Sequence, residues 1–216
     1  MADLKLVPVP TRILTNKDNI VDAIMEYAGH DITNHDIVCV AESVVAITQG
    51  RYIRPEELHI CWQARLMNRF VPGAGSMASI YGMQAAMEEE GKWNMLFSFI
   101  IGAVAKIFGK AGVFYARCRQ ASLIDDVTGT MPPFDKCLVY GPADTDRGCE
   151  EIKNATGAYG AVIADVNDLK RSAVLGKSKG INPGQIAKIL IDNPFGNDNQ
   201  KTPIVIIKNF TDHINR

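Results

Sequence analysis

Apolar positions along the chain fall into two patterns, short unbroken runs and longer stretches with helical spacing. The clearest run is Ala161-Val162-Ile163-Ala164, which ends abruptly in Asp165-Val166-Asn167-Asp168. A strand can hold such a run only when both faces are covered, as in a sheet coated by helices. The pattern predicts a buried strand over Tyr159 to Ala164 that delivers Asp165 and Asp168 to its carboxyl end, where ligands gather in such sheets. The same residues also suit a plain turn, in which Asp165 caps and Asp168 is solvated. Similar runs predict strands over Asp36 to Ala41, after the turn-rich His30 to His35, over Lys136 to Gly141, and over Ile204 to Ile207. Leu4 to Val9 alternates partly and runs into Pro8-Val9-Pro10, which predicts a short extended segment.

Helical spacing appears first at Asn19 to Tyr27, where Ile20, Ala23, Ile24 and Tyr27 share a face and Asp18 or Asn19 is placed to cap. Glu42 to Gly50 fits either pattern. Pro55 to Phe70 suits a helix with proline in its first turn. Val71-Pro-Gly-Ala-Gly75 breaks the chain, and Ser76 is placed to cap a helix reaching Glu90, with Gly91 just past its end. Its Met77, Ile80, Gln84 and Met87 form a stripe read as core, because methionine fills gaps well and thioethers alone bind hard ions poorly. Trp93 to Phe108 contains the longest apolar stretch, Met95 to Ala105, which is well short of the ~20 residues that span a bilayer and is read as a buried helix. Asp144 or Thr145 opens a helix lasting to about Ala155, and Asn182-Pro183 opens another to Asp192. A loop from Asn193 to Lys201 precedes the final strand, and residues after Asn209 are expected to be loosely ordered.

Composition narrows the partners. The 216 residues suffice for one sizeable core or two small lobes. With 47% hydrophobic and 22% charged residues, disorder is not the default. A formal net charge of -1, without any basic stripe interleaved with aromatics, speaks against nucleic acid. The five scattered cysteines form no CxxC pair and read as reduced thiols of a cytoplasmic protein. Neither a secretion signal nor a membrane span is recognised, so no membrane partner is expected.

Several motifs fail on inspection. Gly176-Lys177-Ser178 resembles the end of a P-loop, but the first glycine would have to stand at Arg171. Gly73-Ala-Gly75-Ser76 lacks the third glycine of a dinucleotide loop, although an anion could meet the following helix terminus. The four histidines show neither a nucleophile context nor zinc-ligand spacing. What remains is a set of carboxylates in Gly- and Pro-rich loops, from Asp125 and Asp126 to Asp165 and Asp168, with Arg117, Arg119 and Arg147 close in sequence. Magnesium and manganese sites in phosphoryl-transfer enzymes use one or two such carboxylates, and arginine forks match phosphate oxygens. Solvated helix caps would give the same pattern.

Taken in order, five stretches resemble the coenzyme F-420 gamma-glutamyl ligase family, the CofE-like proteins. They are Pro8-Val-Pro-Thr-Arg12 with Lys17-Asp-Asn-Ile20, the segment from Asp36 to Arg51, Ala121-Ser-Leu-Ile-Asp125-Asp126, Gly141-Pro-Ala-Asp-Thr-Asp-Arg147, and Ala161-Val-Ile-Ala-Asp165. The resemblance implies an α+β fold with mixed sheets flanked by helices and a helix-rich first half. It also implies one domain over 1–216, with two interleaved subdomains as a variant, and a homodimer. The implied chemistry is GTP- or ATP-dependent ligation with Mg2+ or Mn2+. The γ-phosphate passes to a substrate carboxylate, and the amine of glutamate attacks the acyl phosphate. Carried over, Asp165 and one of Asp125 or Asp126 would hold the metal, Asn167 or Asp168 would substitute as a ligand for the family threonine, and Thr11, Arg12, Arg119 and Asn167 would face the nucleotide. The chain departs from the pattern at Ile47, where the family has lysine, and at Val166, where it has threonine. A divergent amide ligase is therefore the leading expectation. A dimeric anion-binding protein that keeps the fold without catalysis is the alternative.

Overall fold

The computed structural model describes residues 4–71, 77, 79–124, 132–196 and 200–214, which divide into two compact units. One comprises residues 1–50 and 142–216; the other, residues 51–141, is inserted within it.

The first unit is built on a five-stranded mixed sheet. Its strands are β1 (Lys5–Val9), β2 (Ile37–Ala41), β5 (Gly160–Asn167), β6 (Arg171–Lys177) and β7 (Ile204–Lys208), in the spatial order β1-β7-β2-β5-β6. Strands β2 and β5 run parallel, and the other pairings are antiparallel. The three strands with unbroken apolar runs occupy the middle. One face packs Val38, Val40, Ala161, Ile163, Ile204 and Ile206 against α1 (Ile20–Ala28), α2 (Glu42–Thr48) and α7 (Thr145–Thr156). The other packs Ile37, Cys39, Val162, Ala164, Val205 and Ile207 against α8 (Pro183–Ile189) and α9 (Phe210–Ile214). The edges take what the middle cannot. Pro8 lies in edge strand β1, where a missing N–H disturbs one neighbour at most. Asn19 and Asn182 cap α1 and α8, each accepting bonds from two backbone N–H groups of the first turn.

The second unit has a two-stranded sheet, β3 (Tyr52–Ile53) with β4 (Leu138–Val139), and the helices α3 (Trp62–Asn68), α4 (Ile80–Glu90), α5 (Lys92–Ile107) and α6 (Val113–Arg117). Its core is methionine-rich, with Met67, Met77, Met83, Met87 and Met95 all buried. Gly91, at φ 86°, makes the turn between α4 and α5, a conformation that a β-carbon disfavours.

The α+β architecture and most elements follow the sequence pattern, with six differences. The segment Pro55 to Phe70 yields a 3-10 turn at Pro55–Glu57 and then α3, not one helix. Glu42 to Gly50 resolves as helix α2. The helix ending at Glu90 is capped by Ser79, while Ser76 lies outside the described residues. The strand after Tyr159 does not stop at Ala164. It continues to Asn167 because β6, too polar to announce itself, pairs with it along an edge. Helix α5 is not buried, since only Met95 and Ser98 of its residues are. The chain after Asn209 forms α9, anchored by buried Phe210. All five cysteines are unpaired, and no described helix is long and apolar enough to cross a membrane.

Two contacts set where the sheet's ends lie. At the amino end of β2, the fully buried Asp36 accepts bonds from Thr33 N and Oγ1 (both 2.8 Å), Asn209 N (2.9 Å) and Lys208 Nζ (2.6 Å). Burial alone would raise its pKa, but the Lys208 ammonium and the three neutral donors outweigh that and hold it below the usual carboxylate value. At the opposite end, α7 begins against β6 at Gly176, where an added Cβ would lie 2.3 Å from the Thr145 Cβ and 2.6 Å from its carbonyl carbon.

Asp36→Asn should cost about 3–5 kcal/mol, because it leaves Lys208 without its counter-charge. That corresponds to a Tm lower by roughly 10 °C in calorimetry. The sign for pH follows from the lowered pKa: the stabilisation is fully present above the unfolded value of about 3.9 and is lost as pH falls through the folded one. The wild type should therefore lose stability in acid more steeply than the asparagine variant. Gly176→Ala should cost about 1–3 kcal/mol by forcing the start of α7 off the sheet. A variant melting with the wild type would remove that constraint.

Candidate functional site

Register defines one end of the sheet. Val9 pairs with Ile204, Ile204 with Val40, and Val40 with Ile163, so the four form a row across it. Strands β1, β2 and β5 all point the same way through this row. Two residues farther along each come Thr11, Glu42 and Asp165. The ladder continues past the strands, with Thr11 N donating to Lys201 O (2.8 Å) and Ala41 N to Pro203 O (2.9 Å). At the strand spacing of about 4.8 Å, the Glu42 backbone stands about 5 Å from that of Asp165, and Thr11 lies roughly 14 Å away. The carboxyl ends of three co-directional strands thus converge, the usual location of ligands in sheets of this kind.

Asp165 lies inside β5, paired with Ala173, and continues the alternation of Ala161 and Ile163 on the face that α7 covers farther back. Beyond the start of α7 that cover ends, and Asp165 is exposed. Among the described residues no donor or cation pairs with its carboxylate. Partial desolvation against the sheet raises its pKa above the usual carboxylate value.

The start of α7 is held by three contacts. Thr145 Oγ1 donates to Leu175 O (2.9 Å), Asp146 Oδ1 accepts from Lys177 N (2.9 Å), and Gln49 and Ala143 exchange reciprocal bonds of 2.8 and 3.1 Å. Asp144, at the N-cap position, adopts left-handed φ 46°, ψ 45° and makes no side-chain cap bond. The first-turn amides of a twelve-residue helix therefore lack a side-chain cap from Asp144 at the same end of the sheet.

The other sequence candidates are placed as follows. Thr11 is mostly buried, and its hydroxyl donates to Arg12 O (2.8 Å). Arg12 forms a bidentate pair with Asp18 (2.9 and 2.7 Å), and Asp18 also accepts from Thr15 N, so this ion pair shapes the loop leaving β1. The bidentate bonds hold the Asp18 carboxyl well below the usual range and the Arg12 guanidinium above its own. Asn167 Oδ1 accepts from Leu169 N and Arg171 N at the β5–β6 turn, and Asp168 accepts from Asn193 Nδ2 (2.6 Å). Both shape the hairpin tip. Arg147 pairs with Glu151 in the sheet unit, whereas Arg117 donates to Ser98 and the exposed Arg119 caps a 3-10 turn in the helical unit. Asp125 and Asp126 lie outside the described residues.

Sequence reasoning missed Glu42, because an acid opening a helix reads as an ordinary first-turn residue. The signal was its position directly after an unbroken apolar strand. Among the described residues no three His, Cys, Asp or Glu side chains cluster. A carboxylate with no protein partner, raised in pKa, beside a second acid and a helix N-terminus fits a hard divalent cation that takes one or two protein oxygens and leaves the rest to ligand and water. Ile47, where the resemblance expects lysine, is buried in the unit's interior.

No curated protein matches the chain. The family model for F420-0:gamma-glutamyl ligase matches residues 8–209, which takes in the sheet end, both flanking helices and the inserted unit. The chain therefore belongs to the F420-0:gamma-glutamyl ligase family.

Proposed function

We propose that this protein is an amide ligase that joins a small carboxylic acid to the amine of an amino acid, driven by a nucleoside triphosphate, with the carboxyl end of β1, β2 and β5 as its active site. The observation that carries the reading is Asp165: exposed, without a protein partner among the described residues, and raised in pKa in a family of gamma-glutamyl ligases. A structural carboxylate in this sheet looks like Asp36, with four donors and a lowered pKa. Asp165 has the opposite character.

In this reading Asp165, with Glu42 beside it, would hold Mg2+ or Mn2+. When bound, the cation would neutralise charge on the phosphates. The α7 N-terminus receives an anionic group of a substrate through its first-turn amides. The Arg12–Asp18 loop, on the same sheet end, lies at the distance of an extended ligand's far end. The terminal phosphoryl group passes to the substrate carboxylate, giving an acyl phosphate and nucleoside diphosphate. The amine then attacks the acyl carbon, and the amide forms as phosphate and a proton leave. The protein's part is positioning and electrostatics. With isoleucine at position 47, where the resemblance expects lysine, phosphate charge falls to the cation and backbone amides, and ATP is as admissible as GTP.

The test is calorimetric titration with GTP and then ATP, with and without Mn2+, on wild type and Asp165→Asn. The wild type should bind one nucleotide only with the cation, and the variant should lose more than about tenfold in affinity. Because desolvation raises its pKa, the folded state loses stability as pH rises through the folded pKa of Asp165, and its ionised carboxylate is a cost unless a cation meets it. Asp165→Asn should therefore melt at or above the wild-type temperature without cation, and only the wild type should gain from adding it. Binding of nucleotide without cation, unchanged in the variant, would favour the non-catalytic anion-binding reading to which buried Ile47 points.

A further inference from the structure

Two helices of the inserted unit present adjoining apolar faces to solvent. Trp62, Arg65, Leu66, Arg69 and Phe70, in α3 and just past its end, follow the i, i+3, i+4, i+7, i+8 spacing of one helical face, and all five are exposed. Helix α5 buries only Met95 and Ser98 and leaves Trp93, Phe97, Ile100, Val104 and Ile107 48–81% exposed. The two faces meet where Trp62 packs edge to face on Trp93, with centroids 6.4 Å apart, and where Phe70 lies 6.5 Å from Phe99. Ten large apolar side chains between Trp62 and Phe108, counting Phe70 and Phe108 beyond the helix ends, are at least 40% exposed. At roughly 200 Å² for each fully exposed side chain, their exposed parts total on the order of 1,000 Å². A monomer's largest apolar patch is usually about 300–600 Å².

Charge on these two helices has one sign. Residues 58–87 and 91–124 contain no Asp or Glu, whereas Arg65, Arg69, Lys92, Lys106 and Lys110 are exposed and pair with no carboxylate among the described residues. The acids between the two stretches are already engaged: Glu88 accepts from Gln84 Nε2, Glu89 from Arg51 and Glu90 from Gln120 N. We propose that α3 and α5 form a docking surface for an anionic lipid bilayer, with α5 lying in the plane of the interface and its apolar side chains among the upper acyl chains. The contact is peripheral, since no described helix is long and apolar enough to cross a membrane. Arginine stems lie along the apolar surface while their forked heads reach lipid phosphates, and tryptophan is at home at that depth. A nucleic acid would use the cations and the aromatic rings but would leave Leu66, Ile100, Ile101, Val104 and Ile107 without a partner, because bases stack on π-faces. The docking surface is independent of the ligase reading.

The chain's two tryptophans, Trp62 and Trp93, both stand on this surface, so its own fluorescence reports the contact. The test titrates the full chain with phosphatidylcholine vesicles, with and without phosphatidylglycerol, and reads co-sedimentation and tryptophan emission. The wild type should bind the anionic vesicles with blue-shifted emission, be quenched when their lipids are brominated, and dissociate as salt rises. Arg65→Glu should weaken binding about tenfold or more. Lys188→Glu makes the same change in net charge on α8 of the sheet unit and should bind as the wild type does. Both variants should keep the wild-type far-ultraviolet circular dichroism spectrum. Absence of binding to anionic vesicles, equal binding to neutral ones, emission unmoved by brominated lipid, or equal losses in the two variants would overturn the proposal. So would a wild type that binds single-stranded DNA in preference to vesicles, or one that self-associates through this surface and ignores them.

Discussion

The sheet of the first unit depends on one constraint: β2, β5 and β7 have apolar side chains on both faces, so both faces must be covered. Helices α1, α2 and α7 cover one face, and α8 and α9 cover the other. Polar groups are then confined to the strand ends, and the two ends have been treated differently. At the amino end of β2 a buried carboxylate is saturated by four donors. At the carboxyl end of β5 an exposed carboxylate has none among the described residues. The first arrangement ties the turn before β2 to the end of β7 and gains stability from its charge. The second gives up stability and keeps oxygen atoms available for a ligand.

The location of that open end was legible in the sequence. An apolar run broken by Asp165 is visible in one line, and so were the caps at Asn19 and Asn182. What the run could not reveal was its true length, because β6 (Arg171 to Lys177) is an edge strand with a mixed pattern that shows itself only by pairing. Asp165 consequently lies within the ladder, not after it. Asn167 and Asp168, which look alike as site residues, turn the hairpin. Pro55 to Phe70 misled for a related reason, since proline at a helical first turn suits a 3-10 turn as readily as a longer helix. Helix α5 misled most, because a largely apolar helix reads as buried although only Met95 and Ser98 of its residues are.

Two apolar residues stand near the open end of the sheet. Val166 faces the core on the α8 side of the sheet, and Ile47 is enclosed by its own unit. Neither residue bears on the approach of α7, which Gly176 permits and Thr145 fixes.

The inserted unit enters and leaves through neighbouring points. Arg51 Nε donates to Gly141 O, Tyr140 N donates to Arg51 O, and β3 pairs with β4 directly after. In the sheet unit, Gln49 and Ala143 are likewise bonded to each other. Before the insertion folds, the sheet unit must close a loop of about 90 residues, which costs about 3 kcal/mol more in chain entropy than closing a three-residue hairpin. Once β3 and β4 have paired, the effective loop shrinks to a few residues and that cost vanishes. The short β3–β4 ribbon therefore acts as a clasp in folding, letting residues so distant in sequence as Val40 and Ile163 find each other as though they were near neighbours.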